Sequence, residues 1–181
     1  MISLGGNCSV AYQLKKYDKR RESYPFDWCN MKIDQLIRVL ENDFIDYEDI
    51  RIVKFSDKHL NFKTNEGSYI LTNKYGIKFA HELINELEID ELKSKIKRRI
   101  ERFKLLRNVI FVRLEINNIN EEKMNLKYNQ LNQIISNYYQ SKLIVISKFR
   151  IENIYKWIRL EEFEEDWKYD KVNWKDIFCI R

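Results

Sequence analysis

The sequence predicts an α/β domain of three layers, a mainly parallel sheet flanked by helices, with a small β-hairpin inserted. Three observations predict it. The runs "NVIFVRLE" and "KLIVISK" are short and almost wholly apolar, as strands buried on both faces are. Between them Met124, Tyr128, Leu131, Ile134, Ile135 and Tyr138 recur with the spacing of one helical face. A single helix joining two buried strands implies parallel neighbours and a right-handed crossover. At 181 residues, with 44% hydrophobic, the chain reads as one domain, 1–181, able to bury a real core.

The elements follow in order. The chain opens with "ISLGGNCSVAYQL". Ile2 to Leu4 are too few for a helix but suffice for a buried strand. Gly5 and Gly6 permit a turn that residues with a Cβ resist, and Val10, Ala11 and Leu14 then fall on one face of a helix. The polar loop "KKYDKRRESYPFDWCN" ends in aromatics around Pro25. Asn30 is placed to cap the next helix, whose apolar positions are Ile33, Leu36, Ile37 and Leu40. Leu60, Phe62, Tyr69 and Leu71 alternate around Gly67 and predict the hairpin.

A helix is predicted over 90–107, with Leu92, Ile96, Ile100, Phe103 and Leu106 as its apolar stripe. Its opposite face carries Lys93, Lys95, Lys97, Arg98, Arg99, Arg102 and Lys104, either a solvated face or a polyanion-binding one. After the second buried run, Ile151, Ile154, Trp157 and Ile158 predict a short helix, and "DIFCIR" a closing strand.

Composition narrows the function. Thirty-three basic and twenty-eight acidic residues give a net charge of +5, mild and spread along the chain. No dedicated nucleic-acid footprint follows from that balance. No uncharged run reaches membrane-spanning length, and Met1 leads straight into the first strand, so a cytoplasmic protein is expected. Cys8, Cys29 and Cys179 are irregularly spaced, without a C-x-x-C pair and beside only two histidines. Neither structural zinc nor any other cofactor is expected, and the thiols are expected to be reduced.

Ligands of such sheets bind beyond the carboxyl ends of the strands. The residues there are Gly5 to Cys8, then Arg113, Glu115 and Asn117, then Ser147 and Lys148. Cys8 has what a nucleophile needs nearby. Gly6 and its neighbour allow a tight turn, and the N–H groups from Asn7 to Ser9 are placed to hold an oxyanion, with the Asn7 side chain as a further donor. A helix N-terminus favours the thiolate, so a lowered pKa is expected. A thiol simply packed under the helix is the alternative.

The base must be His59 or His81. His59 reads as a surface residue at the hairpin's polar start. His81, in "YGIKFAHEL", reads as half-buried, and as either a base or a satisfied core residue. Asp27, held by Pro25, Phe26 and Trp28, is the candidate third member, and Arg113 the candidate fork for an anionic substrate group.

"SLGGNCSVAYQL", "YPFDW", "YGIKFAHEL", "RRIERF" and "IFVR", in that order, resemble a family of bacteria and some viruses described as papain-like cysteine peptidases. The resemblance runs from Ile2 to Arg113 and weakens beyond. It implies a cysteine hydrolase with Cys8 as nucleophile, His81 as base and Asp27 as a third member, and by analogy an α+β papain-like arrangement as the alternative fold. Papain-like enzymes carry a glutamine several residues before the cysteine; Ile2 stands here. Their sheet is antiparallel, whereas the periodicity here predicts a parallel one. The expected function is hydrolysis of a peptide, amide or ester bond in a peptide or small-molecule substrate.

Two rival readings remain. One is a non-catalytic α/β module binding an anion, such as a nucleotide, sugar phosphate or acidic glycan, through the "GGN" turn with Arg113 and Lys148. It has neither a Walker lysine nor a G-x-G-x-x-G spacing. The other is an interaction protein using the basic helix.

Overall fold

The computed structural model describes residues 1–60, 66–83, 85–117, 120–164 and 166–180. Strand β1 (Ile2–Ser3) leads into helix α1 (Ser9–Lys16). Then come β2 (Cys29–Asn30), α2 (Ile33–Glu41), β3 (Arg51–Leu60), β4 (Gly67–Thr72) and β5 (Lys78–Ala80). The second half is α3 (Ile89–Lys104), β6 (Ile110–Leu114), α4 (Glu121–Tyr139), β7 (Lys142–Ser147), β8 (Lys156–Arg159) and α5 (Trp174–Phe178).

Two sheets result. The parallel one has the order β1-β6-β7-β8, with Ile2 beside Phe111 and Val112 beside Ile144. The predicted parallel pair, β6 and β7, lies at its centre, joined by α4. The antiparallel sheet has the order β2-β5-β4-β3. This is the predicted α/β class, with the predicted hairpin enlarged into a four-stranded sheet. The hairpin is β3 and β4; Phe62 lies outside the described residues.

Alternation explains the continuous apolar runs. Phe111, Leu143 and Val145 face the core shared with α2, α3 and α4. Val112, Leu114, Ile144 and Ile146 face the opposite side, where Val10 and Leu14 of α1 meet Trp174, Ile177 and Phe178 of α5. Each buried strand is apolar on both faces because each face has a helical layer. Phe103 of α3 lies 5.1 Å from Phe26 and 5.4 Å from both Phe44 and Phe111, tying the "YPFDW" loop to the parallel sheet. Aromatic pairs of this geometry contribute about 0.5–1.5 kcal/mol beyond their burial.

Three local expectations are corrected. Asn30 caps nothing: its backbone pairs with Lys78 in β2, and α2 starts at Ile33, where Gln35 Oε1 accepts the Lys32 N–H at 2.7 Å. Residues 156–159 form strand β8 instead of a helix, because the exposed edge of β7 offers a ladder, and Trp157 Nε1 donates to Ser147 Oγ at 3.0 Å. The C-terminal "strand" is helix α5. Asn173 Oδ1 accepts the Asp176 N–H at its start, and Trp174, Ile177 and Phe178 bury one face. Cys179, expected inside an apolar strand, is exposed beyond that helix.

Candidate active site

The site begins where β1 ends. Gly5 and Gly6 have φ of +69° and +97°, and a Cβ on Gly6 would strike the Leu114 carbonyl oxygen. Only glycine fits that close approach to β6. Cys8 follows at the N-terminal boundary of α1, its carbonyl accepting the Tyr12 N–H at 3.0 Å. The elbow read from the sequence is therefore present, a strand turning sharply into a helix with cysteine at the corner.

Asn7 organises the corner. Its Oδ1 accepts the Ser9 N–H at 3.0 Å and lies 2.6 Å from Ser9 Oγ. Ser9 is fully buried, its hydroxyl between Asn7 Oδ1 and the Trp167 carbonyl. The Ser9 N–H is thus committed to Asn7, whereas the Cys8 N–H and the Asn7 side-chain nitrogen have no hydrogen-bond partner among the described residues. Gln13 Nε2 holds the Lys168 carbonyl and Asp170 Oδ1, each at 2.7 Å, so the segment carrying Trp167 is strapped along α1.

A cleft of about 800 Å³ lies between this corner and the antiparallel sheet. Cys8, Asn7, Trp28, Trp167 and both histidines line it. His81 follows β5 with φ +150°, a region that residues other than glycine seldom occupy. Such positions cost about 1–3 kcal/mol and concentrate at functional sites. The loop that holds it is pinned at Leu83, whose carbonyl accepts the Tyr69 N–H and the Ser68 hydroxyl, each at 2.8 Å. His59, expected on the surface, instead lies beside His81 with ring centroids 5.8 Å apart and Nδ1 3.0 Å from Ser56 Oγ.

The carboxylates are engaged elsewhere. Asp27 is buried and accepts Arg20 Nε at 3.0 Å, Arg20 Nη2 at 2.8 Å and the Tyr24 N–H at 2.9 Å. Burial lifts its pKa, against the pull of Arg20. It lines a different cavity from His81, so the sequence's orienting carboxylate is an anchor for the Arg20 loop. Glu82, next to His81, grips Arg99 bidentately at 2.6 and 2.8 Å.

Arg113 also differs from expectation. It is wholly buried, and its guanidinium donates to the Leu4 carbonyl (2.9 Å), the Met31 carbonyl (3.1 Å), Tyr128 Oη (3.0 Å) and Glu115 Oε2 (3.3 and 3.4 Å). It forks protein, not ligand: it ties β1 to β6 and to the residue after β2, directly beneath the glycine turn.

The expected lowering of the Cys8 pKa is reversed. Burial pushes the thiol up to about 12, with Glu82 and Asp27 adding to the rise. The N-terminus of α1 favours the thiolate, but a helix end is worth about 0.3–1 kcal/mol at ordinary exposure, too little to offset burial of this size. That direction disfavours a resting thiolate at Cys8. The basic helix changes as well. Of its seven cationic residues, Lys93, Lys95, Arg99, Arg102 and Lys104 are ion-paired, to Asp49, Glu91, Glu82, Glu22 and Asp43. That pairing offsets much of the charge on this face.

The sequence reading missed the cleft's second wall. Asn30 pairs with Lys78, which pairs with Thr72; Ala80 pairs with Ile70, which pairs with Lys54. All six line the cleft, while the alternate residues Cys29, Phe79 and Leu71 are buried in the core. The signal was the period of two in "YILT" and "KFAH", which separates a core face from a polar one.

Among the described residues no group of three or more histidine, cysteine or acidic side chains is arranged to hold a metal ion. None of the described helices is long and apolar enough to cross a membrane.

Residues 1–146 match the family described as "Putative papain-like cysteine peptidase (DUF1796)". Uncharacterized protein R408 of Acanthamoeba polyphaga mimivirus is 26% identical over 212 aligned positions, covering 97% of this chain and 95% of the viral protein. No solved structure matches. Trp167, the aromatic wall strapped to α1, lies beyond the family match.

Proposed function

The chain belongs to the family described as "Putative papain-like cysteine peptidase (DUF1796)", and on that premise we propose that it is a cysteine-dependent hydrolase of a peptide, amide or ester bond. One observation carries the reading: Cys8, at the glycine-bounded corner between β1 and α1, opens onto the same cleft as His81 and His59.

The raised thiol pKa favours a mechanism in which the proton leaves during attack. Without a resting thiolate, the Cys8 proton must leave as the bond to carbon forms. His81 takes it as general base while the sulfur attacks the carbonyl. The Cys8 N–H and the Asn7 amide hold the oxyanion, a term worth about 2.7–4 kcal/mol per donor in enzymes where it has been removed. The imidazolium then returns the proton to the leaving amine or alcohol, and water, activated by the same imidazole, hydrolyses the thioester. His59 lies against His81 and orients it or shares its proton.

The test is intact-mass spectrometry of quenched reactions with fluorogenic peptide amides and activated esters. An acyl adduct on Cys8 is expected, absent in Cys8→Ala, with turnover reduced about 10²- to 10⁴-fold in His81→Ala. Equal turnover in wild type and Cys8→Ala overturns the reading.

The anion-binding module is the second reading, favoured by the three lysines on the cleft's sheet wall. Its ligand set differs from that read in the sequence: Arg113 is buried, and Lys148 Nζ lies 4.2 Å from the centroid of the Phe163 ring.

A further inference from the structure

The charge on the cleft is one-sided. Lys54, Lys58 and Lys78 line it, all exposed, and no acidic residue lines it among the described residues. None of the three takes part in an ion pair among the described residues, whereas five of the seven basic residues of α3 do. Unpaired ammonium groups around a concave surface raise the local concentration of anions.

Their spacing says what kind of anion. Lys54 stands on β3 and Lys78 on β5, with β4 between and an offset of two residues along the strands, so their backbones are separated by about 12 Å. Ile70 and Ala80 lie between the charges on the same face. A compact phosphate is best held by a planar arginine fork, and no arginine lines the cleft among the described residues. A chain bearing several carboxylates, laid across the strands with apolar stems against Ile70 and Ala80, matches the pattern. Trp28 and Trp167 line the cleft together with Cys8.

We propose that the cleft selects acidic peptides, with aspartate or glutamate side chains flanking the scissile bond seated on Lys54, Lys58 and Lys78. The proposal rests on the hydrolase reading for its chemistry but not for its binding, and the experiment separates the two.

Binding is read by fluorescence anisotropy on the Cys8→Ala protein, using a fluorescein-labelled glutamate-rich peptide and its glutamine counterpart. The acidic peptide is expected to bind at least about tenfold more tightly, with the advantage shrinking as salt rises from about 50 to about 300 mM. The advantage is expected to vanish in the triple Lys54→Gln, Lys58→Gln, Lys78→Gln variant. Equal binding of the two peptides overturns the proposal. So does displacement of the acidic peptide by inorganic polyphosphate at lower charge-equivalent concentration, which would make the ligand a phosphate polyanion. Wild-type protein is then mixed with both peptides and examined for the Cys8 adduct. Equal acylation by both overturns the proposal and leaves the hydrolase standing. Selective binding without any adduct leaves the acidic ligand class standing and removes the hydrolase.

Discussion

The two sheets handle positive charge in opposite ways. In the parallel sheet Arg113 is completely buried and surrounded by two carbonyls, a tyrosine hydroxyl and Glu115. In the antiparallel sheet Lys54, Lys58 and Lys78 stand exposed on the cleft wall without a described counter-ion. A charge that has been desolvated and fully bonded is committed to the fold, since removing one partner leaves the others unmet. A charge left solvated costs the fold little and stays available to a ligand. The contrast separates the residues that build the catalytic corner from those that meet what enters it.

The largest expected effect lies at Arg113. Arg113→Leu leaves Glu115 buried without its counter-ion and the Leu4 and Met31 carbonyls without the guanidinium donor. A loss of about 3–5 kcal/mol is expected in urea denaturation, the range for breaking one side of a buried ion pair. A loss below about 1 kcal/mol would mean that the guanidinium is not a strut, and the contrast between the sheets would collapse.

The next effect concerns the thiols. With the Cys8 pKa at about 12 instead of 9.0, its thiolate is about a thousandfold scarcer near neutral pH than in an unperturbed thiol. Iodoacetamide should therefore label exposed Cys179 first, Cys8 much later and buried Cys29 last, as read by timed peptide mapping. Faster labelling of Cys8 than of Cys179 would show that a cationic imidazole overrides burial. The same shift sets a pH dependence. Between about 9 and about 12 the unfolded chain releases the Cys8 proton while the folded chain keeps it, so the unfolded state binds fewer protons and stability falls as pH rises. Urea midpoints should decline from pH about 8 to pH about 10.5, less steeply in Cys8→Ala.

Gly6→Ala ranks third. The left-handed φ and the contact with the Leu114 carbonyl oxygen both penalise a Cβ, and about 1–3 kcal/mol should be lost. Because the strain falls on the turn that aims Cys8, the Cys8 labelling rate should change more than that of Cys179. An unchanged rate would show that the corner is set from α1 alone.

Much of the frame was legible because its signals are local. Apolar runs bounded by polar residues marked β6 and β7, and the 3.6-residue stripe marked α2, α3 and α4. Glycines before Cys8 marked the corner. What misled was local too. Ile151, Ile154, Trp157 and Ile158 have helical spacing, yet the free edge of β7 draws residues 156–159 into a ladder that no neighbouring residue announces. Arg113 sits among apolar residues in "IFVRLE" and was read as emerging from the strand. Its true surroundings come from β1, the segment after β2, and α4, distant in sequence. Asp27 reads from its neighbours as a held carboxylate, but its partner, Arg20, lies in a loop without pattern. The second histidine of the cleft was hidden for the same reason: only the hairpin's pairing brings His59 to His81.

The smallest effect is expected where the second half of the contrast lies. Replacing Lys54, Lys58 and Lys78 by glutamine, one at a time, should change stability by no more than about 0.5 kcal/mol, because exposed substitutions away from buried networks rarely do more. The triple variant should be as stable as wild type or slightly more so, since three like charges across a few strands repel one another. Added salt should narrow that difference, because screening removes the repulsion from wild type and does nothing in the variant. A destabilisation above about 1 kcal/mol would instead mean that these lysines bridge the strands, and their lack of counter-ions would then no longer mark a surface kept for a ligand. Paired with the Arg113 result, the measurement gives the two sheets opposite signatures: several kcal/mol for a charge held inside the fold, almost nothing for charges that face the cleft.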